Sequence, residues 1–445
     1  MRIPQRSATL GEMLDRVSSD RVSKVLLDVS PTTADGKYRH WDTIRRMAPP
    51  GDLSSEEWWL RTKFARHSMM KELPLSDAVG EPFKYALPDA ALAMLHIIDQ
   101  RASGEIAISE VVTNPATRDR YVVNSLIEEA ITSSQLEGAV TSRVVAKEMI
   151  RSGRAPRDTS ERMILNNYRA INFVRERRKD QLTPDLVCQL QRIVTEDTLD
   201  DADHAGRIQL PHEDRVRVEA FDGQVVHMPP PASELPKRLE AMCQFANGDY
   251  HNGFLHPVVR AVLLHFWLAY DHPFADGNGR AARALFYWSM LNQDYWLAEY
   301  LSISRILRDA PAQYSRSFLY TETDDNDTTY FLLYQLKVIC RAIVDFYGYL
   351  ERKVAEVRSV EELLSSVNFN HRQLALLSHA LRSPGGTYTY RSHATSHGVV
   401  RQSARMDLLD LEERGLLARR QVGNRFVFFA APDFADRLRE LAGAA

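Results

Sequence analysis

The sequence predicts a mainly α protein: an all-helical central domain carrying one small β-hairpin, followed by a smaller domain of three helices and two strands. Three observations carry this expectation. Apolar residues recur at helical spacing from about Asp119 to Tyr347. Within that stretch, Arg215–Ala220 and Val225–Met228 alternate around Phe221-Asp222-Gly223-Gln224, the pattern of a hairpin. After Tyr347 the order becomes helix, helix, helix, strand, strand. The expected domains are residues 1–115, 116–347 and 348–445.

The first domain reads as irregular, then helical. Pro49-Pro50-Gly51 is a break, and Ser54-Ser55-Glu56-Glu57 has the residue types of a helix start. The pair Trp58-Trp59 either binds a partner or packs this segment onto the next domain, and tryptophan burial favours packing. In the second domain Tyr121–Leu136 is a helix with Gly138 placed to cap its end. Glu161–Val174 and Thr183–Thr195 are helices, and Pro229-Pro230-Pro231 stops the hairpin. Ser233 is placed to cap the next helix. Pro257 opens a helix, Val258–Tyr270, that is apolar on nearly every side and therefore central. A second central helix spans about Arg280–Leu291. In the third domain Gln373–Leu381, Arg391–Ser396 and Val399–Arg414 are helices. Ser383-Pro384-Gly385-Gly386 is a turn, and strands Leu417–Val422 and Arg425–Ala430 join at Gly423-Asn424. That order is the one found in a winged helix-turn-helix.

Composition sets the bounds. The chain has 445 residues, 44% hydrophobic and 26% charged, as in ordinary globular proteins. A net charge of −3 predicts no polyanionic partner for the whole chain, so any basic patch is local. Cys188, Cys243 and Cys340 are scattered, which reads as buried thiols in a reducing compartment. No apolar run follows the first residues, and the longest, Ala261–Tyr270, is interrupted by His265. The expectation is a soluble, cytoplasmic protein without membrane association.

Chemistry concentrates in His272-Pro273-Phe274-Ala275-Asp276-Gly277-Asn278-Gly279-Arg280-Ala281-Ala282-Arg283, the loop between the two central helices. Gly277 and Gly279 let the backbone approach an anion, and the N–H groups opening the next helix form an anion nest. Arg280 and Arg283, three apart, project from one helical face toward the same ligand and suit phosphate oxygens. Asp276 offers a hard oxygen to Mg²⁺. His272 titrates near neutrality and can take a proton from an attacking hydroxyl. Taken singly, a histidine after a helix is usually structural, Gly-Asn-Gly a turn, and two helix arginines solvated. Together, within twelve residues, they favour a nucleoside polyphosphate site.

His272–Arg283 resembles the motif of the Fic family, HxFx(D/E)GNGRxxR, at every specified position, and the likeness extends from near Asn124 to near Tyr347. The resemblance implies an all-α domain that transfers AMP from ATP to a Ser, Thr or Tyr hydroxyl of a protein. It implies His272 as general base and Asp276 as Mg²⁺ ligand. Gly277, Asn278 and Gly279 would cradle the α- and β-phosphates, Arg280 the β-phosphate or departing pyrophosphate, and Arg283 the γ-phosphate. Doc-type relatives, which phosphorylate, have Lys where this chain has Gly279, so Gly279 with Arg283 favours AMP transfer.

Ser133-Ser134-Gln135-Leu136-Glu137-Gly138 fits the family's inhibitory pattern, (S/T)xxxE(G/N), with Ser133, Glu137 and Gly138 at the fixed places. A solvated glutamate at a helix end is the plainer reading of the same residues. The resemblance implies an inhibitory helix over about 122–138, with Glu137 reaching Arg283 where the γ-phosphate would sit. In some relatives the same glutamate helps remove AMP, so removal stands as an alternative activity. The hairpin at about 215–228 corresponds to the family's flap, which holds a target segment as an added strand. Tyr314 lies where relatives line the adenine pocket, although Ser315 departs from their Tyr-Tyr, and a core tyrosine is an equal reading.

Residues 371–425 hold nine arginines against four acidic residues, a local balance of +5. Arg401, Gln402, Ser403 and Arg405 fall at the start of the third helix, the end that reads base edges in helix-turn-helix proteins. Arg419, Arg420 and Arg425 flank the wing, within reach of phosphates. DNA and a protein partner or homodimer contact are balanced expectations for this domain. Three functions follow: an autoinhibited, self-modifying AMP transferase; a DNA-binding regulator with a nucleotide-responsive core; and an enzyme that removes AMP.

Overall fold

The computed structural model describes residues 2–103, 115–219, 223–249, 253–366, 368–382, 386–422 and 425–443. Residues 221–222 of the turn expected at Phe221–Gln224, residues 383–385 of that expected at Ser383–Gly386, and the junction Gly423-Asn424 lie outside the described residues. The chain divides into two compact units, Met1–Phe346 and Tyr347–Ala445.

The first unit opens with α1 (Leu10–Arg16), α2 (Ser19–Val25), α3 (Trp41–Ile44) and α4 (Ser55–His67). Thr9 with Glu12, and Ser54 with Glu57, form capping boxes, each satisfying two N–H groups at a helix start. Trp58 and Trp59 are buried with Met13, Val25, Ile44, Leu53 and Leu60 in a core local to these helices. The pair therefore packs within its own segment. Strands β1 (Lys71–Ser76) and β2 (Pro82–Tyr85) form an antiparallel hairpin interrupted by a register shift. That hairpin was not expected from the sequence, because Pro74 and Pro82 interrupt its alternation. Lys63 pairs with Asp324 at 2.7 Å, and Arg66 donates to Tyr330 Oη at 2.6 Å, fastening α4 to the start of the helix Thr329–Ser366 and the loop before it.

Next come α5 (Asp89–Ala102), α6 (Pro115–Leu136), α7 (Arg143–Ser152), α8 (Thr159–Glu176) and α9 (Pro184–Thr195). Strands β3 (Val218–Glu219) and β4 (Val225–His227) pair antiparallel. Ser233 does not cap the following helix: it lies inside a 3₁₀ turn, Ala232–Glu234, that leads directly into α10 (Leu235–Asn247). At the centre α11 (Pro257–Asp271) packs against α12 (Asn278–Asn292). Almost every residue of both is buried, including Trp267 and Trp288, as an all-round apolar helix requires. The unit is completed by α13 (Ile303–Asp309), α14 (Pro311–Glu322) and α15 (Thr329–Ser366), which runs on past Tyr347.

The second unit contains α16 (His371–Arg382), β5 (Thr387–Tyr388), α17 (Tyr390–His397) and α18 (Arg401–Glu413). It ends with β6 (Leu417–Val422), β7 (Arg425–Ala430) and α19 (Phe434–Gly443). Its sheet has the order β5-β7-β6, one strand more than the sequence suggested. Strand β5 has two residues, too few to show a period. Leu376, Leu377, Leu408, Leu411, Leu417 and Phe428 form its core.

Candidate active site

The site is built where α11 stops. Its last residue, Asp271, is clamped by Arg238 Nε at 2.8 Å and Trp267 Nε1 at 2.9 Å. His272 then takes a left-handed conformation, φ 46° and ψ 52°, which turns the chain out of the helix. Its Nδ1 lies 3.4 Å from the Ala269 carbonyl, which can only accept, so the proton belongs on Nδ1 and the lone pair on Nε2. Burial lowers the His272 pKa to about 4, only partly opposed by that carbonyl. The imidazole is therefore neutral at physiological pH.

Asn278 staples the loop: its Oδ1 accepts from Phe274 N at 2.9 Å and its Nδ2 donates to Phe274 O at 2.8 Å. Its side chain is committed to the loop itself, which leaves the backbone as the part able to meet a ligand. Gly277 sits at φ 85°, and a Cβ there would lie 2.8 Å from Thr195 Cγ2. Gln191 Nε2 donates to Asp276 O at 3.1 Å, so α9 supports the loop from behind. The first-turn N–H groups of α12 have no partner within the helix, leaving an electropositive end beside His272.

The two arginines part company. Arg280, buried, donates to Val194 O at 2.7 Å and to Asp276 Oδ2 at 2.9 Å. Its Nε is buried without a partner, a donor left open inside the loop. Arg283, 2% exposed, turns instead to α6. It donates to Ser133 Oγ at 2.8 Å, Ser133 O at 3.0 Å and Glu137 Oε1 at 2.7 Å. The sequence expectation that both serve one ligand from one face does not describe this state, because each guanidinium is tied to a different helix. Burial disfavours charge on Arg283, but Glu137, Tyr314 and Glu129 together more than offset it, raising the pKa. Gly279 brings α12 so close to Glu137 that a Cβ would collide with the carboxylate. Gly138, at φ 94°, ends α6 and lets Glu137 sit at its tip.

Tyr314 donates or accepts through Oη to His265 Nε2 at 2.8 Å and packs edge-on against Phe318. It belongs to an aromatic cluster whose histidine, its pKa lowered to about 3 by burial, is neutral. Among the described residues no three His, Cys, Asp or Glu side chains are gathered as a metal site. Asp276 has an exposed carboxylate at the loop rim, the donor set of an ion carried in by phosphates.

Sequence reasoning missed the residues that hold these groups. Glu129 accepts from Ser302 Oγ at 2.9 Å and Ser304 N at 3.1 Å, anchoring α6 to α13. Arg215 donates to His272 O at 2.9 Å and Pro230 O at 2.8 Å. Neither carries a local signal, since their partners are 173 and 57 residues away. In the second unit Arg401, Gln402, Arg405 and Arg425 are all exposed on α18 and β7.

Residues 181–290 match the model of the Fic/DOC family. The chain is 25% identical over 195 residues to protein adenylyltransferase Fic of Nematostella vectensis, covering 43% of each protein. It is 36% identical over 69 residues to the Drosophila melanogaster protein of that name, covering 16% of this chain and 14% of the relative. The chain thus aligns with less than half the length of these curated relatives. A solved Fic family protein from Desulfovibrio desulfuricans G20 superposes with TM-score 0.50 and 19% identity, over 77% of this chain and 94% of that one. The mainly helical architecture is shared with that structure.

Proposed function

We propose that the chain is a protein adenylyltransferase, transferring AMP from ATP to a Ser, Thr or Tyr hydroxyl of a protein, itself included. The observation that carries the proposal is the neutral His272 beside the open end of α12 and the unpartnered Nε of Arg280. In this reaction His272 Nε2 takes the proton as the target hydroxyl oxygen bonds to the α-phosphorus. The bond from that phosphorus to the α–β bridging oxygen breaks, and pyrophosphate leaves. Gly277, Asn278 and Gly279 present backbone to the α- and β-phosphates, and Arg280 binds the leaving pyrophosphate. Arg283 binds the γ-phosphate, and Tyr314 borders the adenine. Mg²⁺, held by Asp276 and the phosphates, would neutralise charge on the departing group.

In the resting state the enzyme is off. Arg283 donates through Nε and Nη2 to Ser133 and Glu137, and the Glu137 carboxylate occupies the space beside Gly279. An ATP γ-phosphate entering there meets a carboxylate, and the nucleotide is held in a pose unsuited to in-line attack. The test is incubation of wild type, His272→Ala and Glu137→Gly with α-³²P-ATP. We expect strong self-labelling of Glu137→Gly alone; an unlabelled Glu137→Gly sinks the proposal. AMP removal by the same site is tested by a time course on pre-modified protein.

A second reading concerns residues 347–445, proposed as a winged helix-turn-helix that binds DNA. Three of the four acids in residues 371–425 are spent internally: Asp407 on Arg372 and His393, Asp410 on Arg414, and Glu412 on Arg419. Arg401, Arg405 and Arg425 stay exposed, with Gln402 on the same helix start. This separation of charge supports phosphate and base contact over a solvated surface. A gel shift with genomic fragments tests it.

A further inference from the structure

The last carbonyls of a helix have no partners of their own. At and just past the end of α11 four consecutive ones, Tyr270 to Pro273, are all taken by residues 209–230, the segment that carries the hairpin. His227 Nε2 bonds Tyr270 O at 2.8 Å, and Gln209 N donates to Pro273 O at 2.9 Å. Between them, Arg215 donates through Nη2 to Asp271 O and through Nη1 to His272 O at 2.9 Å. The same guanidinium donates through Nε to Pro230 O at 2.8 Å, and through Nη1 to the Gln209 side chain. One planar group thus joins both ends of the hairpin segment to the backbone of His272. That backbone is left-handed at a non-glycine residue, a conformation that lasts only where its surroundings hold it.

We propose that Arg215 is a positioning residue for the reaction proposed above, fixing the His272 imidazole by bridging its carbonyl to the hairpin. The inference rests on the AMP-transfer reading for its kinetic consequence and on the hydrogen bonds alone for its structural one. The hydrogen bonds of Arg215 go to Asp271, His272, Pro230 and Gln209, none of them a group proposed to bind phosphate. Its removal therefore leaves nucleotide binding intact and misplaces the base. A displacement of about 1 Å at a reacting group costs on the order of 100-fold in rate. Lysine retains the charge and loses the planar fork, so it restores part of the rate. Seating a target along the hairpin then also steadies the base, since both hang on the same guanidinium.

The experiment compares the full chain as Glu137→Gly, Glu137→Gly/Arg215→Met and Glu137→Gly/Arg215→Lys. Initial self-labelling rates are measured against ATP concentration, with thermal melts as folding controls. In parallel, the His272 ring resonance is followed in ¹⁵N-histidine-labelled protein with and without Arg215→Met, assigned by its loss in His272→Ala. We expect kcat to fall about 100-fold in the Met variant, KM for ATP to stay within about twofold, and an intermediate kcat for Lys. The His272 resonance should shift. An unchanged kcat, or a loss carried by KM alone, overturns the proposal, and if the Met variant does not fold, the Lys variant decides by the same split. If Glu137→Gly itself is unlabelled, the AMP-transfer reading fails instead, and the resonance alone judges Arg215. A His272 signal that does not move then overturns it.

Discussion

Arg283 donates to three acceptors on one helix, Ser133 Oγ, Ser133 O and Glu137 Oε1, while remaining 2% exposed. Removing one partner of a buried charge pair is costly because it strands the other. Here Glu137 is partly exposed and Ser133 remains, so Glu137→Gly should lower stability by only about 1–3 kcal/mol. Self-labelling of that variant should rise tenfold or more over wild type, read as incorporated ³²P under equal ATP. His272 offers a second test. Burial holds its pKa near about 4, so its ring should stay neutral from pH 8 down to pH 6. A ¹⁵N spectrum of the ligand-free protein showing imidazolium at pH 6 contradicts this.

The inhibition proposed for Glu137 depends on a whole helix being held in place. Helix α6 is pinned at Glu129 by Ser302 and Ser304, at Ser134 by Met163 O and at Ala130 O by Asn167. Burial raises the Glu129 pKa, and the three donors from Ser302 and Ser304 oppose that rise. Glu129→Gln places an amide N–H against groups that themselves donate. We expect α6 to loosen, with self-labelling above wild type and below Glu137→Gly, and a stability loss of about 1–3 kcal/mol. Labelling equal to wild type in a folded Glu129→Gln variant contradicts the anchoring role. Gly138 matters at the same scale, since Ala at its left-handed φ of 94° costs roughly 1 kcal/mol.

Among the described residues burial lowers the pKa of His40 and His272 to about 4 and of His265 to about 3, and it lowers that of His393 as well. Each binds a proton sooner unfolded, at about 6.5, than folded, so each contribution to stability is lost as pH falls from 6.5 toward 4. Glu129 and Asp271, raised by burial, act in the opposite sense. Substituting one group isolates its share. His265→Asn should lose urea stability less steeply than wild type below pH 6.5, by up to about 1.4 kcal/mol per pH unit. Parallel curves refute that assignment. For the second unit, Arg405→Ala and Arg425→Ala should each weaken DNA binding across sequences or relax base preference. A lost phosphate contact is distinguished by a salt slope reduced by about 1.

Much of this was legible in the sequence. The helices around the loop follow from an all-round apolar period, and the types and spacing from His272 to Arg283 already specify an anion nest with a base beside it. Local order is enough for that, because those groups lie within one loop and one helical turn. Other features needed the folded chain. The β1–β2 hairpin is masked by its prolines, and β5 is too short to show a period. Whether Arg283 faces phosphate or Glu137, how closely Gly279 approaches Glu137, and what holds His272 left-handed all depend on residues 57 to 150 positions apart. Sequence periodicity records which face of an element is buried. It carries nothing about which distant donor meets which carbonyl, and only tertiary packing decides that.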